Sequence, residues 1–279
     1  MTAPSLTPVA PAGPVGRLRW TLADGLTLVG REFCRIRRHP GQLVAALVFP
    51  AIMVVLFGYV FGSAISVPGG GNYREYLMPG LFSMVTFTSL MAVTLKVAAD
   101  ASRGVMDRFR SMPTARSAVP FGQAGADMVG GLLALTIMVG AGLVVGWRPH
   151  RGLVPTAEAF ALICLMRYAL AWLGSWLGLM VRDEQVADQL GPLVLPFTML
   201  SNSFVPTAGM PAWLRFLSDW NPCSALTAAS RELFGNPGQA PGDGAWPVEH
   251  PVLAVLMWSA VILAVFVPLS VRTYRRRGR

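Results

Sequence analysis

Charged side chains are scarce in this chain of 279 residues. Only 13% of the residues are Asp, Glu, Lys or Arg, whereas 53% are hydrophobic. A soluble domain of this size usually has about a quarter of its residues charged. The composition therefore predicts a protein that lies in a membrane rather than one that folds in water.

Lysine is nearly absent, and so are the sequence motifs of common hydrolytic enzymes. Lys96 is the only lysine, and no GxxxxGK[ST] phosphate-binding loop occurs, which excludes ATP hydrolysis by that route. There is no HExxH or GxSxG motif, and His39, His150 and His250 are far apart in the sequence. We therefore expect no catalytic residue in this chain.

Cysteine is rare as well. Cys34, Cys164 and Cys223 form an odd set without a CxxC or a His-paired spacing. This pattern predicts neither a disulfide framework nor a zinc site, and we expect no metal site in the chain.

What the chain does contain is six long apolar segments. They run approximately over residues 42–62, 77–98, 126–146, 157–181, 189–205 and 252–271. Most approach the ~20 residues that a helix needs to cross a ~30 Å hydrocarbon core. The fifth is the shortest and contains Pro192 and Pro196, which spans tolerate where neighbours satisfy the freed carbonyls. The sequence predicts an all-α integral membrane protein with six transmembrane helices over residues 40–279.

Glycine spacing gives a weaker signal about how these spans pack. Three pairs match the small-xxx-small pattern of closely packed helices: Gly58/Gly62, Gly142/Gly146 and Gly174/Gly178. Such matches also arise by chance in a chain with 29 glycines.

The distribution of arginine predicts the orientation of the spans. If the N-terminus lies in the cytoplasm, the inside segments carry 17 Lys or Arg residues, the outside loops carry five, and Arg167 lies within a span. This bias follows the positive-inside rule, so we expect both termini in the cytoplasm. It also accounts for the net charge of +9 without a nucleic-acid partner.

The N-terminal region divides into two parts. Residues 1–16 lack the charge and the apolar core of a signal peptide, and their Pro, Ala and Gly content predicts a disordered cytoplasmic tail. Residues 17–39 place apolar side chains on one helical face: Leu18, Leu22, Leu26, Val29, Phe33 and Ile36. With arginines on the other faces, this segment predicts an amphipathic helix on the cytoplasmic leaflet that ends before Pro40.

The cytoplasmic segment 103–122 is unusually polar for a connection between two spans. It contains "DRFRSMPTARSAVPFG", in which both charge signs surround Phe109 and Pro113 stops the helix. Arg108 and Arg110 cannot share one helical face, because residues two apart point in different directions. Two interpretations stay open from the pattern alone: a docking peptide for a cytoplasmic partner, or a loop whose arginines only fix the topology.

Three stretches resemble a known family. "HPGQLVAALVFPAIMVVLFGYVFG" with "YREYLMPGLF", the segment "MDRFRSMPTARSAVPFGQAGAD", and "PFTMLSNSFVPTAGMPAWLRFLSDWNPCSALTAASRELFGNP" are similar to the membrane subunit of ABC-2 type exporters, in the daunorubicin-resistance permease branch. The resemblance covers roughly residues 31–279. One departure is "SNSFVP", where the family more often has Ser-Gly before the aromatic residue.

The resemblance implies roles for two groups of residues. The cytoplasmic group would form a coupling helix in a groove of a separate ATP-binding subunit: Asp107, Arg108, Phe109, Arg110, Ser111, Met112 and Pro113. The extracellular group, within a re-entrant region at 202–236, would form short helices that act as a lid over the exit pathway: Asn202, Phe204, Pro206, Pro211, Trp213, Asn221, Pro222 and Arg231.

The same resemblance implies the partners. The permease would pair with a second copy or a paralogue and with two copies of an ATP-binding subunit, which would bind ATP and Mg; the permease itself would bind no cofactor. The substrate would be amphipathic: a drug-like molecule, a natural product or a lipid-linked molecule. We expect a multi-pass protein of the bacterial cell membrane.

The residues between the fifth and sixth spans agree with a re-entrant region on physical grounds. Trp213, Leu214, Phe216, Leu217 and Trp220 make the segment too apolar for an exposed loop, whereas its prolines and asparagines interrupt it too often for another span. Short helices covered by protein satisfy both constraints. A small external domain is the alternative.

Arg167 is the one charge that we place deep inside a span. It falls ten residues into the fourth span, ~15 Å deep, and we find no acidic residue in the neighbouring spans at that depth. A charge at the bilayer centre costs at least ~2.5–3.5 kcal/mol and usually faces protein or water, so Arg167 is a candidate for lining the translocation pathway. The alternative is a shifted helix whose arginine extends to the interface.

Two functions of other classes remain as alternatives to an exporter. An integral-membrane enzyme would need polar catalytic groups at one depth, and only Arg167 meets this condition. A scaffold that does not transport would recruit cytoplasmic partners through the basic segments.

Overall fold

A computed structural model describes residues 72–103, 118–181, 183–205, 207–238 and 245–276, with six further positions between 41 and 56. The predicted tail and interfacial helix, most of the first predicted span, the coupling residues 107–113 and Pro206 lie outside the described residues. The described secondary structure is entirely helical.

Nine α-helices follow one another in the described residues. They are α1 (Tyr73–Ser102), α2 (Ala118–Val145), α3 (Leu153–Val181), α4 (Glu184–Leu190), α5 (Val194–Met199), α6 (Ala212–Asp219), α7 (Pro222–Phe234), α8 (Trp246–Glu249) and α9 (Pro251–Arg276). Short 3₁₀ helices occupy Gly191–Leu193 and Thr207–Gly209.

Four of these helices are long and apolar enough to cross a membrane: Tyr73–Ser102, Phe121–Val145, Leu153–Val181 and Pro251–Tyr274. They coincide with the second, third, fourth and sixth predicted spans. Helix α2 begins at Ala118, earlier than the predicted start at 126, because the apolar pattern does not include the polar first turns of the helix. The chain is therefore a multi-pass, all-helical protein in the part that the structure describes.

The fifth predicted span, 189–205, takes a different form. The chain here is divided into α4, the 3₁₀ turn and α5, and the helical conformation ends at Met199. Gly191 and Pro192 lie at the break, where glycine propensity is low and proline lacks an N–H for the helical ladder. Residues 200–205 then form a turn.

Helices α1 and α3 pack closely along each other. A methyl group in place of the Gly174 hydrogen would lie 2.6 Å from the Leu90 carbonyl oxygen, and one at Gly178 would lie 2.5 Å from that of Thr94. The Thr94 hydroxyl donates to the Gly174 carbonyl across this contact (3.2 Å). The Gly174/Gly178 pair thus serves helix packing, as its spacing suggested.

An aromatic cluster fixes one end of the bundle. Phe82 of α1, Trp147 after α2 and Phe234 of α7 make mutual ring contacts, with centroids 5.1–6.0 Å apart. The Trp147 indole N–H donates to the Asn236 side-chain oxygen (2.8 Å). The loops predicted to lie outside therefore meet α7 at a single end of the bundle.

We expect Gly178→Ala to lower the stability of the protein, by about 1–3 kcal/mol for an overpacked contact, because the added methyl group meets a backbone carbonyl of α1 that cannot move alone. Gly140→Ala is the matched control, since it lies in helix α2 with open space around the added atom. Thermal unfolding in detergent measures both. Equal melting temperatures for the two variants would contradict the close α1–α3 contact.

Candidate functional site

The end of helix α5 at Met199 leaves backbone carbonyls without a helical hydrogen-bond donor, and side chains at the start of α7 supply donors for them. The Asn221 side-chain amide donates to the carbonyls of Phe197 (2.9 Å) and Leu200 (2.8 Å). The oxygen of the same side chain accepts from the Cys223 N–H (2.8 Å) and caps α7, whose first residue is Pro222. One asparagine therefore joins the end of α5 to the start of α7.

Arg231 provides the strongest link at this site. Its Nε donates to the Tyr76 carbonyl (3.0 Å), its Nη1 to the Asn202 carbonyl (2.9 Å) and its Nη2 to the Ser203 carbonyl (2.9 Å). The guanidinium also stacks on the Tyr76 ring, 3.5 Å from the centroid. A single side chain thus connects α7, the turn after α5 and the first turns of α1.

The charge of Arg231 is deeply buried, with the residue only 2% exposed. Burial lowers the pKa of the Arg231 guanidinium, and the nearby Tyr76 and Tyr73 act in the opposite direction. In the described residues its side-chain partners are carbonyl oxygens and a ring rather than a carboxylate. Arginine stays protonated in proteins, so the site holds a fixed positive charge surrounded by backbone dipoles.

Two tyrosines of α1 complete the set of donors. The Tyr76 hydroxyl donates to the Asn202 carbonyl (3.0 Å), and the Tyr73 hydroxyl donates to the Phe204 carbonyl (2.9 Å). Three successive carbonyls, at residues 202–204, are therefore held from α1 and α7. Gly80 permits the approach of α1, because a methyl group there would overlap the backbone carbonyl oxygen of Ser203.

A buried hydroxyl cluster lies beneath the turn. The Ser203 hydroxyl lies 2.8 Å from that of Ser201, 3.0 Å from that of Thr227 and 3.6 Å from the Cys223 sulfur. The Ser224 hydroxyl accepts from the Asn202 N–H (3.1 Å). Burial raises the pKa of the Cys223 thiol to about 11, so this thiol is neutral at physiological pH.

Helix α6 connects to the site through a buried aspartate. The Asp219 carboxylate accepts from the Thr207 hydroxyl (3.1 Å) and from the Ala245 N–H (3.3 Å), and Arg215 lies 3.7 Å away. The apolar side chains of α6 face outward, with Trp213 67% and Phe216 60% exposed. The helix therefore buries its polar side and exposes its apolar side.

The structure brings together some of the predicted gate residues and separates others. Asn202 and Phe204 belong to the turn at 200–205, and Asn221, Pro222 and Arg231 of α7 and its cap lie against it. Pro211 and Trp213 lie apart from it, at the start of α6, with Trp213 pointing outward. The sequence did not predict several side chains that make hydrogen bonds here, among them Tyr73, Tyr76, Ser203, Thr227 and Asp219, nor the close approach at Gly80.

Arg167 has an acidic partner, so our expectation of none in the neighbouring spans was wrong. Its Nη2 lies 2.9 Å from the Asp127 carboxylate on α2. We had placed Asp127 at the edge of the third span, but α2 begins at Ala118 and carries Asp127 well inside the helix. Whether Arg167 lines a pathway stays a prediction.

The helix ends next to the predicted coupling segment are also joined. Arg103, at the end of α1, places its Nη2 3.2 Å from each of the two carboxylate oxygens of Glu184 at the start of α4. Within the described residues, no three His, Cys, Asp or Glu side chains lie close enough together to hold a metal ion.

The sequence matches the model of a known family, described as ABC-2 type transporter, over residues 25–234. The chain belongs to the ABC-2 type transporter family. As a member, it is the membrane permease component of an ABC transporter, and it works with an ATP-binding subunit in a membrane.

Two relatives match this permease over nearly its whole length. It is 29% identical to the daunorubicin resistance ABC transporter permease protein DrrB1 of Streptomyces coeruleorubidus, over 99% of this chain and 97% of the relative. It is 25% identical to the probable doxorubicin resistance ABC transporter permease protein DrrC of Mycobacterium tuberculosis, over 97% of this chain and 95% of the relative.

A third relative matches over a smaller part of both chains. The probable multidrug ABC transporter permease YbhR of Escherichia coli is 25% identical over 66% of this chain and 50% of the relative.

We expect Arg231→Lys to destabilise the permease by about 2–3 kcal/mol, because an ammonium cannot reproduce a planar fork that reaches three carbonyls, and buried carbonyls lose charge-assisted hydrogen bonds. Arg148→Lys at the same end of the bundle is the control, since its guanidinium is exposed. Thermal unfolding in detergent distinguishes them. A melting temperature unchanged by Arg231→Lys would contradict the role of the fork.

We expect Cys223 to react slowly with N-ethylmaleimide in the folded permease at pH 7, because its thiol is buried and has a pKa raised to about 11. A variant with Cys223 as its single cysteine, labelled before and after denaturation, gives the measurement by mass spectrometry. Fast labelling of the folded protein would show that the turn at 200–205 does not cover this thiol.

Proposed function

We propose that this permease exports an amphipathic drug-like molecule, natural product or lipid-linked molecule with energy from ATP. The observation that carries the proposal is the full-length similarity to two permeases named for resistance to daunorubicin and doxorubicin. Both names refer to drugs, which supports a substrate of that kind for this chain.

The turn at 200–205 acts as the outer gate in this proposal. Residues predicted to be extracellular hold it against α1 and α7 through Arg231, Tyr76 and Tyr73. The arrangement corresponds to a closed exit, because α7 and the turn are packed on the start of α1. Opening requires the turn, α7 and α1 to separate or to move together.

ATP acts on this gate from the opposite side of the membrane. The coupling residues 107–113 lie between α1 and α2 in the sequence, so an ATP-binding subunit that moves them would pull on both helices. Two ATP-binding subunits and a second permease, identical or paralogous, complete the assembly. ATP and Mg belong to the ATP-binding subunits. Binding of ATP drives transport only if it stabilises one state of the permease more than the other.

The proposed topology has six spans in the bacterial cell membrane, with both termini in the cytoplasm. The break between α4 and α5 makes the fifth span discontinuous, and residues 202–236 form the extracellular re-entrant region. The count of 17 basic residues inside against five outside supports this orientation. Non-helical backbone at this depth requires protein donors, and Arg231 and Asn221 are such donors.

The alternatives that the sequence left open are not favoured. A scaffold or an integral-membrane enzyme would not be expected to match transport permeases along 99% of its length. Similarity along the whole chain includes the gate as well as the basic cytoplasmic segments that a scaffold would need.

Co-purification with the ATP-binding partner tests the coupling role. We expect Asp107→Ala/Arg108→Ala to lose that subunit while membrane insertion stays unchanged, because both charges belong to the proposed contact surface. Arg272→Ala, an exposed arginine at the end of α9, is the control and should retain the subunit. Undiminished binding by the double variant would contradict the coupling role.

A further inference from the structure

An ion pair lies inside the helical bundle, away from the gate. Arg167 of α3 and Asp127 of α2 approach to 2.9 Å, and their side chains are only 9% and 12% exposed. Both residues fall within candidate membrane spans, Leu153–Val181 and Phe121–Val145. The gate mechanism above uses neither of them.

The pair also reaches a third helix. Arg167 Nη1 lies 3.4 Å from the Val85 carbonyl of α1. On α2, a methyl group at Gly131 would overlap Arg167 Nε, so the absence of a side chain at Gly131 makes the space that the guanidinium occupies. Helices α1, α2 and α3 therefore meet around one charged group.

Stability alone does not account for this arrangement. Removing two charges from water is costly, and well-packed apolar side chains often replace a buried ion pair without loss of stability. Charges inside spans commonly mark function. Here the pair joins α2 to α1 and α3, which already pack closely through Gly174 and Gly178.

Helix α2 closely follows the predicted coupling residues in the chain. The coupling residues 107–113 end shortly before α2 begins at Ala118, and Asp127 lies about 14 Å further along the helix at 1.5 Å per residue. A displacement of the cytoplasmic end of α2 would therefore reach the pair before it reaches the outer end of the bundle.

We propose that the Asp127–Arg167 ion pair transmits the movement of α2 to α3 and α1, so that its charges rather than its volume are needed for transport. The inference rests on the proposed exporter function. Both residues are positioning residues: through their contacts with each other and with the Val85 carbonyl they hold α2 in register with α3 and α1.

The test uses the full permease with its ATP-binding subunit in proteoliposomes, with daunorubicin as the transported probe. The readouts are probe transported per ATP hydrolysed, the melting temperature and retention of the ATP-binding subunit. The variants are the apolar pair Asp127→Leu/Arg167→Met and the exchanged pair Asp127→Arg/Arg167→Asp. Arg151→Gln, which removes an exposed cation 3.9 Å from Glu232, is the control.

We expect the apolar pair to retain the ATP-binding subunit and to melt within a few degrees of the parent, while its transport per ATP falls at least tenfold. The exchanged pair should recover a substantial part of that ratio, because it restores opposite charges between α2 and α3. Arg151→Gln should behave like the parent chain.

Parental transport per ATP in the apolar pair would overturn the inference and leave the ion pair as packing only. If the apolar pair does not fold, the exchanged pair is compared with the single variant Arg167→Gln. A folded exchanged pair that transports no more probe per ATP than Arg167→Gln would overturn the inference. Failure of the proposed function is a separate result, because the parent chain itself would then neither retain an ATP-binding subunit nor transport the probe.

Discussion

The carbonyl groups at the end of the discontinuous fifth segment are the constraint on which this structure depends. An unpaired carbonyl away from water costs free energy. A helix can therefore end inside a membrane protein only where other parts of the protein supply hydrogen-bond donors. Asn221, Arg231, Tyr73 and Tyr76 are those donors. The fold of residues 200–236 follows from this need, and the proposed gate is the same set of bonds.

The spans could be predicted because apolar length is a local property of the sequence. Four predicted segments correspond to helices of spanning length, whereas the fifth is broken at Gly191–Pro192. The ends of the spans were harder to predict, because polar residues can continue a helix without giving a hydropathy signal. That error had a consequence. Because the third predicted span began too late, Asp127 lay at its edge, and the prediction missed Asp127 as the partner of Arg167.

The gate shows a different limit of sequence reasoning. The family resemblance pointed to Arg231 and Asn221, but their acceptors lie far away in the chain: Arg231 and Tyr76 are separated by 155 positions. Nothing in the sequence distinguishes Asp219 from an ordinary loop carboxylate, because its contacts with Thr207 and Ala245 form only in the folded chain. Roles that consist of contacts across the chain require the three-dimensional arrangement. For Asp107–Pro113, outside the described residues, the assignment stays a prediction.

Helix α6 has a consequence for the medium in which the permease is studied. It turns Trp213, Phe216 and Leu217 outward while Asp219 anchors its inner side. In water those apolar side chains would favour burial and pull the helix inward against its anchor, whereas an apolar environment stabilises the helix in its present position. The surrounding lipid or detergent therefore acts as a component of the fold at this point. The behaviour of the neighbouring turn in a given micelle is a joint property of the protein and its amphiphile.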